Sequence, residues 1–322
     1  MAFYDVFNGD ADGICALLQL RLAEPRDSQL ITGIKRDIDL LKQVKAQTGD
    51  AITVLDISLD KNRRALETVL AADAQVFYVD HHFAGEIPAH KNLQALINTK
   101  PDVCTSVLVN AHLRGQFQAW AVVGAYGDNL DRVAAELAEK ISLTSSQCEQ
   151  LSLLGNCINY NAYGEGRDDL HYQPEDIFRR ALPYANPLDF IATENEFFNH
   201  LIASYRNDMA LAHALQPVTA TEQVAVFYLP ADAWARRVSG VYGNDLSNDY
   251  PARAHALLTP KSNGNYLVSV RAPKINKTGA DEVCRQFDTG GGRAGAAGIN
   301  ELPPSEVQRF IDTFTHHYSA SQ

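Results

Sequence analysis

The sequence lacks the features that mark membrane-bound or secreted proteins. No apolar run among its 322 residues approaches the ~18 that are needed to span a bilayer. The first residues, Met1 to Asp5, carry no basic segment of the signal-peptide type and lead directly into a predicted strand. The 5 cysteines form no close pair of the metal-ligand type, which favours reduced and mostly buried thiols. These absences predict a cytoplasmic protein with no membrane contact.

Basic residues are also scarce. The chain has 28 lysines and arginines against 39 acidic residues, which gives a net charge of −11. Tight binding to long nucleic acid usually requires a basic surface that displaces counterions. The charge balance therefore favours a small anionic ligand held by a few local arginines, and it disfavours a long duplex as a partner.

What the sequence does contain is a series of acidic residues at the ends of predicted elements. Apolar runs precede Asp10 and Asp12, Asp56, the triplet Asp80-His81-His82, and Asp128. One aspartate at such a position is more often a turn former or a helix cap. Several in chain order point to one site, because ligands of open α/β sheets bind beyond the carboxyl ends of the strands. Clustered carboxylates repel unless a cation neutralises them, and carboxylates with an imidazole suit Mn²⁺ or Mg²⁺.

Strand and helix patterns alternate through the first part of the chain. This alternation predicts an α/β fold with a mostly parallel sheet and helices on both faces. The predicted strands cover residues 3–7, 30–34, 51–55 and 75–79, with a helix around 38–46 and an irregular loop over 156–172. We assign residues 1–190 to a first domain, 191–219 to a helical linker and 220–322 to a smaller C-terminal α/β domain.

The order of the motifs resembles that of the DHH phosphoesterase superfamily. The resemblance is carried by Asn8-Gly9-Asp10-Ala11-Asp12-Gly13, Leu55-Asp56, Asp80-His81-His82 and Gly127-Asp128. That superfamily includes RecJ-type exonucleases, nanoRNA and pAp hydrolases, cyclic-dinucleotide phosphodiesterases and family II pyrophosphatases. A glycine cluster near the C-terminus is similar to part of the DHH-associated second domain, so the resemblance covers nearly the whole chain.

The resemblance implies a centre of two divalent ions. The implied metal ligands are Asp10, Asp12, Asp56, His81 and Asp128. Asp56 would bridge the ions, Asp10 would bind one of them, and the other three ligands would bind the second. Asp80 would orient His81 as a hydrogen-bond acceptor. His82 would contact the scissile phosphate and protonate the leaving oxygen, which makes His82, Asp80 and Asp56 the predicted catalytic residues.

One position departs from the superfamily pattern. Many members carry a histidine ligand four residues before the first aspartate, where this chain has Val6, which cannot coordinate a metal. The nearby Asn8 offers a weaker amide ligand and is also a candidate for substrate contact. We therefore expect one Mn²⁺ site to be weaker than the other. Lys35 and Arg36 follow the second strand and either face this site or lie on a solvated surface.

The glycine cluster covers residues 290–298, Gly-Gly-Gly-Arg-Ala-Gly-Ala-Ala-Gly. It formally fits the dinucleotide pattern G-x-G-x-x-G, but it follows a predicted helix and has no βαβ unit around it. The resemblance implies instead the substrate-binding GGGH and AAG segment of the second domain, with Arg293 in place of the histidine. Arginine keeps its charge and can bind phosphate in a bidentate manner. The predicted substrate-binding residues are Arg271, Gly291, Gly292, Arg293 and Asn8.

The sequence therefore predicts a phosphodiesterase that depends on Mn²⁺, with Mg²⁺ as the alternative ion. Its predicted substrates are short nucleotides, such as linear dinucleotides, nanoRNA or cyclic dinucleotides, which it hydrolyses to mononucleotides in a cleft between its domains. The alternatives are a pAp-type 3′-phosphatase, a RecJ-like single-strand exonuclease and a catalytically inactive nucleotide sensor. The sequence leaves the oligomeric state open, with a dimer among the alternatives.

Overall fold

In a computed structural model of the protein, which describes residues 1–319, the chain forms two compact units. The first unit comprises residues 1–162 and 166–203, and the second comprises residues 163–165 and 204 onward. The division falls inside one long helix, Asn195–His213, which lies in the segment that we assigned to a linker. Within the described residues, no helix is both long and apolar enough to cross a membrane.

The first unit is built from alternating strands and helices followed by a run of helices. Its elements are β1 (Phe3–Phe7), α1 (Ala11–Ala23), β2 (Gln29–Ile31), β3 (Ala51–Leu55), α2 (Leu59–Ala71), β4 (Gln75–Asp80), β5 (Leu93–Ile97), α3 (Thr105–His112), α4 (Gln118–Gly127), α5 (Asp131–Lys140), α6 (Ser145–Asn161), α7 (Pro174–Ala181), α8 (Pro187–Thr193) and the start of α9 (Asn195–His213). All strand pairs in its sheet are parallel. The predicted α/β fold with a mostly parallel sheet is confirmed.

The strand order of this sheet is β2-β1-β3-β4-β5. The chain moves outward from β1 to β2 and then returns to the other side of β1 to form β3. Between β1 and β3 the direction of the crossover connections therefore reverses. In doubly wound sheets, ligands bind at the carboxyl ends of the strands at such a switch point. The topology thus predicts a site beside the residues that follow Phe7 and Leu55.

Two local predictions in this unit are wrong. The helix expected over 38–46 is only a 3-10 turn, Leu40–Gln43. The Asn62 side chain takes the place of helical hydrogen-bond partners there. It accepts from the Leu41 amide at 3.2 Å and donates to the Ile38 carbonyl at 2.6 Å. The irregular loop expected over 156–172 begins later, because α6 continues to Asn161. The Asn161 side chain accepts from the amides of residues 171 and 172, each at 3.0 Å, and thereby orders the return of the chain.

The second unit contains a six-stranded mixed sheet. Its elements are the remainder of α9, β6 (Thr219–Ala220), β7 (Val224–Tyr228), α10 (Ala233–Asp249), β8 (Ala254–Pro260), β9 (Tyr266–Arg271), α11 (Ala280–Cys284), β10 (Gly290–Arg293), β11 (Ala296–Leu302) and α12 (Val307–Ser319). Its strand order is β10-β11-β9-β8-β7-β6, and the pair β7–β8 is parallel. The inner side chains of β7, β8 and β9 pack with α11 and α12 in one buried apolar cluster that includes Val226, Leu258 and Phe310.

Candidate metal centre

Acidic residues that are far apart in the sequence converge at the switch point of the first sheet. Asp10 and Asp12 follow β1, Asp56 follows β3, Asp80 ends β4, and Asp128 caps the C-terminus of α4. The apolar run before Asp128 is a buried helix, so this carboxylate joins the strand-end residues from a helix C-terminus. The structure therefore brings together the four motifs that the sequence analysis selected.

His81 lies at the centre of this group. Its Nε2 atom is 3.4 Å from Asp56 Oδ1, 3.9 Å from Asp128 Oδ2 and 4.0 Å from Asp12 Oδ2. Asp56, His81 and His82 each offer a ligand atom, and these atoms lie within 4.8 Å of one another. One imidazole nitrogen and three carboxylates thus face a common point, which is the arrangement expected of a cation site.

A backbone contact fixes the orientation of the His81 ring. His81 Nδ1 lies 2.9 Å from the carbonyl oxygen of Val103. A carbonyl can only accept a hydrogen bond, so Nδ1 carries the proton and donates. In the neutral imidazole, Nε2 then presents its lone pair to the carboxylates, as a metal-ligating histidine must. The partner that orients His81 is therefore Val103, and the predicted role of Asp80 in orienting His81 is wrong.

Asp80 orients the second histidine instead. Its Oδ1 atom accepts from His82 Nδ1 at 2.8 Å, while its buried Oδ2 atom has no hydrogen-bond partner in the described part of the chain. His82 Nδ1 also lies 3.9 Å from Asp56 Oδ1, so both histidines border the same carboxylate. The half-exposed His82 ring thus has one nitrogen tied to a buried carboxylate.

The first turn of α3 completes the centre with residues that were not among the predicted ligands. The backbone amides of Thr105 and Ser106 each donate to Asp12, to different carboxylate oxygens, at 2.7 Å. The Thr105 hydroxyl donates to Asp56 Oδ1 at 3.0 Å. These bonds hold two predicted ligands in place. The signal in the sequence was the small polar pair at a helix start, whose amides suit an anion.

The carboxylates of this centre destabilise one another when no cation is present. Burial and the charges of Asp12, Asp10, Asp128 and Asp80 raise the pKa of Asp56 well above its ordinary range. Burial and the neighbouring Asp12 raise the pKa of Asp128 to about 6, although Lys35 and His81 oppose the shift. A divalent ion would remove this repulsion. The donor set of oxygens with one imidazole therefore fits the metal that the motifs imply.

Asp56 also has an unusual backbone. Its φ angle is +60°, in the left-handed region that non-glycine residues seldom adopt. Aspartate tolerates this region better than most residues do, and strained positions of this kind concentrate at functional sites. The conformation turns the side chain of Asp56 toward the common point directly after β3.

Asp10 differs from the other predicted ligands because a lysine already neutralises it. Its Oδ1 atom caps α1 by accepting from the amides of Asp12 and Gly13, and its Oδ2 atom forms an ion pair with Lys35. Burial alone would raise the pKa of Asp10, but the Lys35 charge and these hydrogen bonds outweigh burial and lower it. Lys35 also donates to Asn159 Oδ1 at 2.8 Å. The prediction that Lys35 faces the site, and does not lie on a solvated surface, is confirmed.

The Asn8 side chain forms hydrogen bonds within the protein. Its Oδ1 atom accepts from the Asp10 amide at 3.2 Å, and its Nδ2 atom donates to the Lys35 carbonyl at 3.1 Å. Both groups of the side-chain amide therefore have protein partners. The contact of Asn8 with substrate stays a prediction.

The remaining predicted substrate-binding residues lie in the second unit. The expected glycine loop is a β-hairpin, in which β10 pairs with β11 and Gly292 has a φ of +140°. Gly291 and Gly292 lie in the edge strand, and Arg293 is exposed at its end. Arg271, at the end of β9, donates from Nε to Asn244 Oδ1 at 2.9 Å. The substrate contacts of these residues stay predictions.

The fold and the centre define the class of protein: a two-unit α/β protein with a parallel sheet that carries an Asp-and-His cluster at its switch point.

No protein-family profile and no curated protein sequence matches the chain. Solved structures do match. An exonuclease RecJ bound to manganese has 16% identity and a TM-score of 0.65, over 99% of this chain and 90% of that one.

Two further structures share the fold. RecJ from Thermus thermophilus in complex with Mn²⁺ has 16% identity and a TM-score of 0.65, and this chain spans 52% of its length. The pGpG-specific phosphodiesterase PggH from Vibrio cholerae has 14% identity and a TM-score of 0.55, over 99% of this chain and 100% of that one. The chain therefore shares its fold with two RecJ structures and with PggH, and the fold that the motif resemblance implied is confirmed.

Proposed function

We propose that the protein is a metal-dependent phosphodiesterase of the DHH type that hydrolyses short nucleotides to mononucleotides. The observation that carries this proposal is the approach of three buried or half-buried carboxylates to the Nε2 atom of His81. Such a group is unfavourable without a cation, and proteins keep it where a cation does chemistry. Asp12, Asp56, His81 and Asp128 would hold the metal.

A divalent ion in this centre supplies a Lewis acid that draws charge from phosphoryl oxygens and acidifies water. The residues of the protein orient the metal ligands and give a proton to the leaving oxygen. Val103 fixes the His81 tautomer, and the α3 amides fix Asp12. His82, which is 39% exposed and hydrogen-bonded to Asp80, would contact a phosphate and give a proton to the leaving oxygen.

We infer Mn²⁺ as the preferred ion, with Mg²⁺ as the alternative. Carboxylate and imidazole ligands suit Mn²⁺, and two of the structures with this fold are manganese complexes. The centre is too poor in thiols for a typical structural zinc site, since its candidate ligands among the described residues are aspartates and histidines.

A nucleotide is a better substrate than inorganic pyrophosphate or polyphosphate because an aromatic ring lies beside the centre. Phe83 follows His82 directly, and its side chain is 72% exposed. Its loop is fixed: Ser58 donates to the Phe83 carbonyl at 2.7 Å, and Arg63 donates to the carbonyls of Ala84 (2.8 Å) and Glu86 (2.6 Å). Rigid exposed aromatic rings are platforms on which bases stack.

The alternatives differ in substrate or in chemistry. A pAp-type 3′-phosphatase would use the same centre. A RecJ-like exonuclease on single strands is disfavoured by the net charge of −11. An inactive nucleotide sensor is disfavoured because Asp12, Asp56, His81 and Asp128 all converge, which a binding protein does not require.

The test is a chromatographic assay of the purified protein with Mn²⁺ or Mg²⁺ on linear dinucleotides, cyclic dinucleotides, pAp, short RNA and pyrophosphate. We expect mononucleotides from the linear dinucleotides, and we expect Asp56→Asn to abolish the reaction. Asparagine also tolerates a positive φ, so this variant keeps the fold. The control is Asp39→Asn, which changes an exposed aspartate. Binding of nucleotide with no hydrolysis under either metal would favour the sensor instead.

A further inference from the structure

The ammonium group of Lys35 occupies the part of the centre around Asp10. It forms an ion pair with Asp10 Oδ2 and donates to Asn159 Oδ1 at 2.8 Å. The other oxygen of Asp10 accepts from two backbone amides, at 3.0 and 3.1 Å. Both carboxylate oxygens of Asp10 therefore have partners in the protein, in contrast with Asp128, which makes no ion pair with a lysine or arginine in the described residues.

The backbone of Lys35 is held firmly in this position. Its amide donates to the Ala162 carbonyl at 2.8 Å, and its carbonyl accepts from Asn8 Nδ2 at 3.1 Å. The loops after β1 and β2 are also in close contact, since a Cβ atom on Gly9 would lie 2.0 Å from the Gly33 carbonyl oxygen. Three chain segments thus determine where the lysine stem begins, and the ammonium position follows from this local structure.

The residue at position 6 supports the same conclusion. The superfamily pattern places a histidine ligand there, but this chain has Val6, which is fully buried and packs in the apolar cluster with Leu41 and Ile57. An ion bound at Asp10 would therefore lack one ligand and would have to displace an ammonium from another. An ammonium and a divalent ion that compete for one carboxylate repel each other strongly at such short range.

We propose that Lys35 replaces one of the two cations, so that the centre holds a single divalent ion on Asp12, Asp56, His81 and Asp128. This inference rests on the proposed function, because it concerns the same metal centre. Lysine supplies a fixed positive charge beside the phosphate site but no Lewis acid. The polarisation of the substrate would then depend on one ion, with Lys35 neutralising Asp10.

The experiment counts ions. Metal-free protein is dialysed against excess Mn²⁺, and the bound metal is measured by mass spectrometry, with electron paramagnetic resonance to distinguish isolated ions from coupled pairs. We expect one Mn²⁺ per wild-type chain and the spectrum of an isolated ion. Two tightly bound ions with a coupled spectrum would overturn the inference but would leave the proposed metal centre intact. No bound ion would overturn the proposed function as well.

Variants of Lys35 test whether the lysine is the cause. Lys35→Met removes the charge and keeps much of the stem, so we expect the affinity for a second ion at Asp10 to rise by about tenfold or more. Lys35→Arg keeps the charge and should remain at one ion. The matched control is Lys42→Met, which removes an exposed lysine. If Lys35→Met binds no second ion more tightly than wild type, the lysine does not exclude it, and the inference is wrong.

Discussion

Asp80 Oδ1 lies 2.8 Å from Nδ1 of His82, whereas the neighbouring His81 makes its Nδ1 contact with a backbone carbonyl. Two adjacent histidines therefore have different supports. The Val103 contact leaves the His81 Nε2 lone pair directed at the carboxylates, and the proposed function assigns to His82 the transfer of a proton to the leaving oxygen. The buried carboxylate fixes the orientation of the His82 ring, which the proposed role of His82 as general acid requires.

This division of roles predicts the effect of Asp80→Asn. The variant should lower kcat on a linear dinucleotide on the order of 10²-fold, because the general acid loses its orientation and its charge partner. The stoichiometry and affinity of Mn²⁺ should stay close to wild type, because Asp80 does not contact His81 Nδ1. Steady-state kinetics and metal titration on the same protein measure both. A large loss of metal affinity with little change in kcat would instead show that Asp80 supports the metal ligand His81.

The crowded carboxylates predict how the stability of the metal-free protein depends on pH. The folded protein holds the proton of Asp128 up to about pH 6, whereas an unfolded chain releases it near 3.8. The folded state therefore binds more protons between these values, so its free energy of unfolding falls as the pH rises through this window. The loss should be on the order of 2 kcal/mol. Urea unfolding in EDTA at pH 5.0 and 7.5 measures it.

The variant Asp128→Asn isolates this contribution. It should flatten the pH dependence and make the metal-free protein more stable than wild type at pH 7.5, since it removes a repelling charge. With Mn²⁺ the order should reverse, because the variant loses a ligand and the stabilisation that binding gives to the folded state. Asp39→Asn, at an exposed position, is the control. Lower stability of metal-free Asp128→Asn at pH 7.5 would show that the carboxylate is not under repulsion.

The general position of the centre could be predicted from the sequence. Apolar runs mark β1, β3 and β4, and an acidic residue directly after a buried parallel strand must lie at the carboxyl edge of the sheet. Asp10, Asp56 and Asp80 therefore had to be neighbours once the strand order was known. Asp128 was selected by the same pattern of an acidic residue after an apolar run, but it ends a helix, so the strand order does not place it beside the others.

Other features of the centre depend on tertiary contacts that no local pattern records. The path of the chain after β4 brings the Val103 carbonyl to His81 Nδ1. Asp80 therefore binds His82 and not His81. Lys35 reaches Asp10 because the loops after β1 and β2 pack at Gly9 and Gly33. A lysine after a strand is otherwise a common surface residue. The glycine hairpin was predicted to be a loop because Gly-Gly-Gly has low strand propensity, which pairing with β11 overrides.

The exposed ring of Phe83 predicts a substrate-affinity effect. If a base stacks on it, Phe83→Ala should raise KM for a linear dinucleotide between about fivefold and a hundredfold, with kcat little changed. Phe83→Tyr keeps an aromatic face and should behave like wild type. Initial-rate kinetics over a range of substrate concentrations separates KM from kcat. An unchanged KM in Phe83→Ala would remove the ring from substrate binding and would weaken the preference for nucleotides over inorganic phosphates.

The close contact of α4 with α6 predicts a linked loss of stability and metal affinity. A Cβ atom on Gly155 would lie 2.3 Å from the Val123 carbonyl oxygen and 3.0 Å from the amide nitrogen of Gly127, one residue before Asp128. Alanine normally stabilises a helix interior relative to glycine. Here Gly155→Ala should instead lower the free energy of unfolding by about 1–3 kcal/mol, because the backbones must separate.

Since Asp128 caps the displaced end of α4, the same variant should also bind Mn²⁺ more weakly. The control is Gly166→Ala, where the backbone is extended and the added Cβ would meet no atom of the described chain within 4 Å. That variant should keep wild-type stability and metal affinity. Urea unfolding and calorimetric titration with Mn²⁺ measure both quantities. Wild-type metal affinity in a destabilised Gly155→Ala protein would show that the position of Asp128 does not depend on this helix contact.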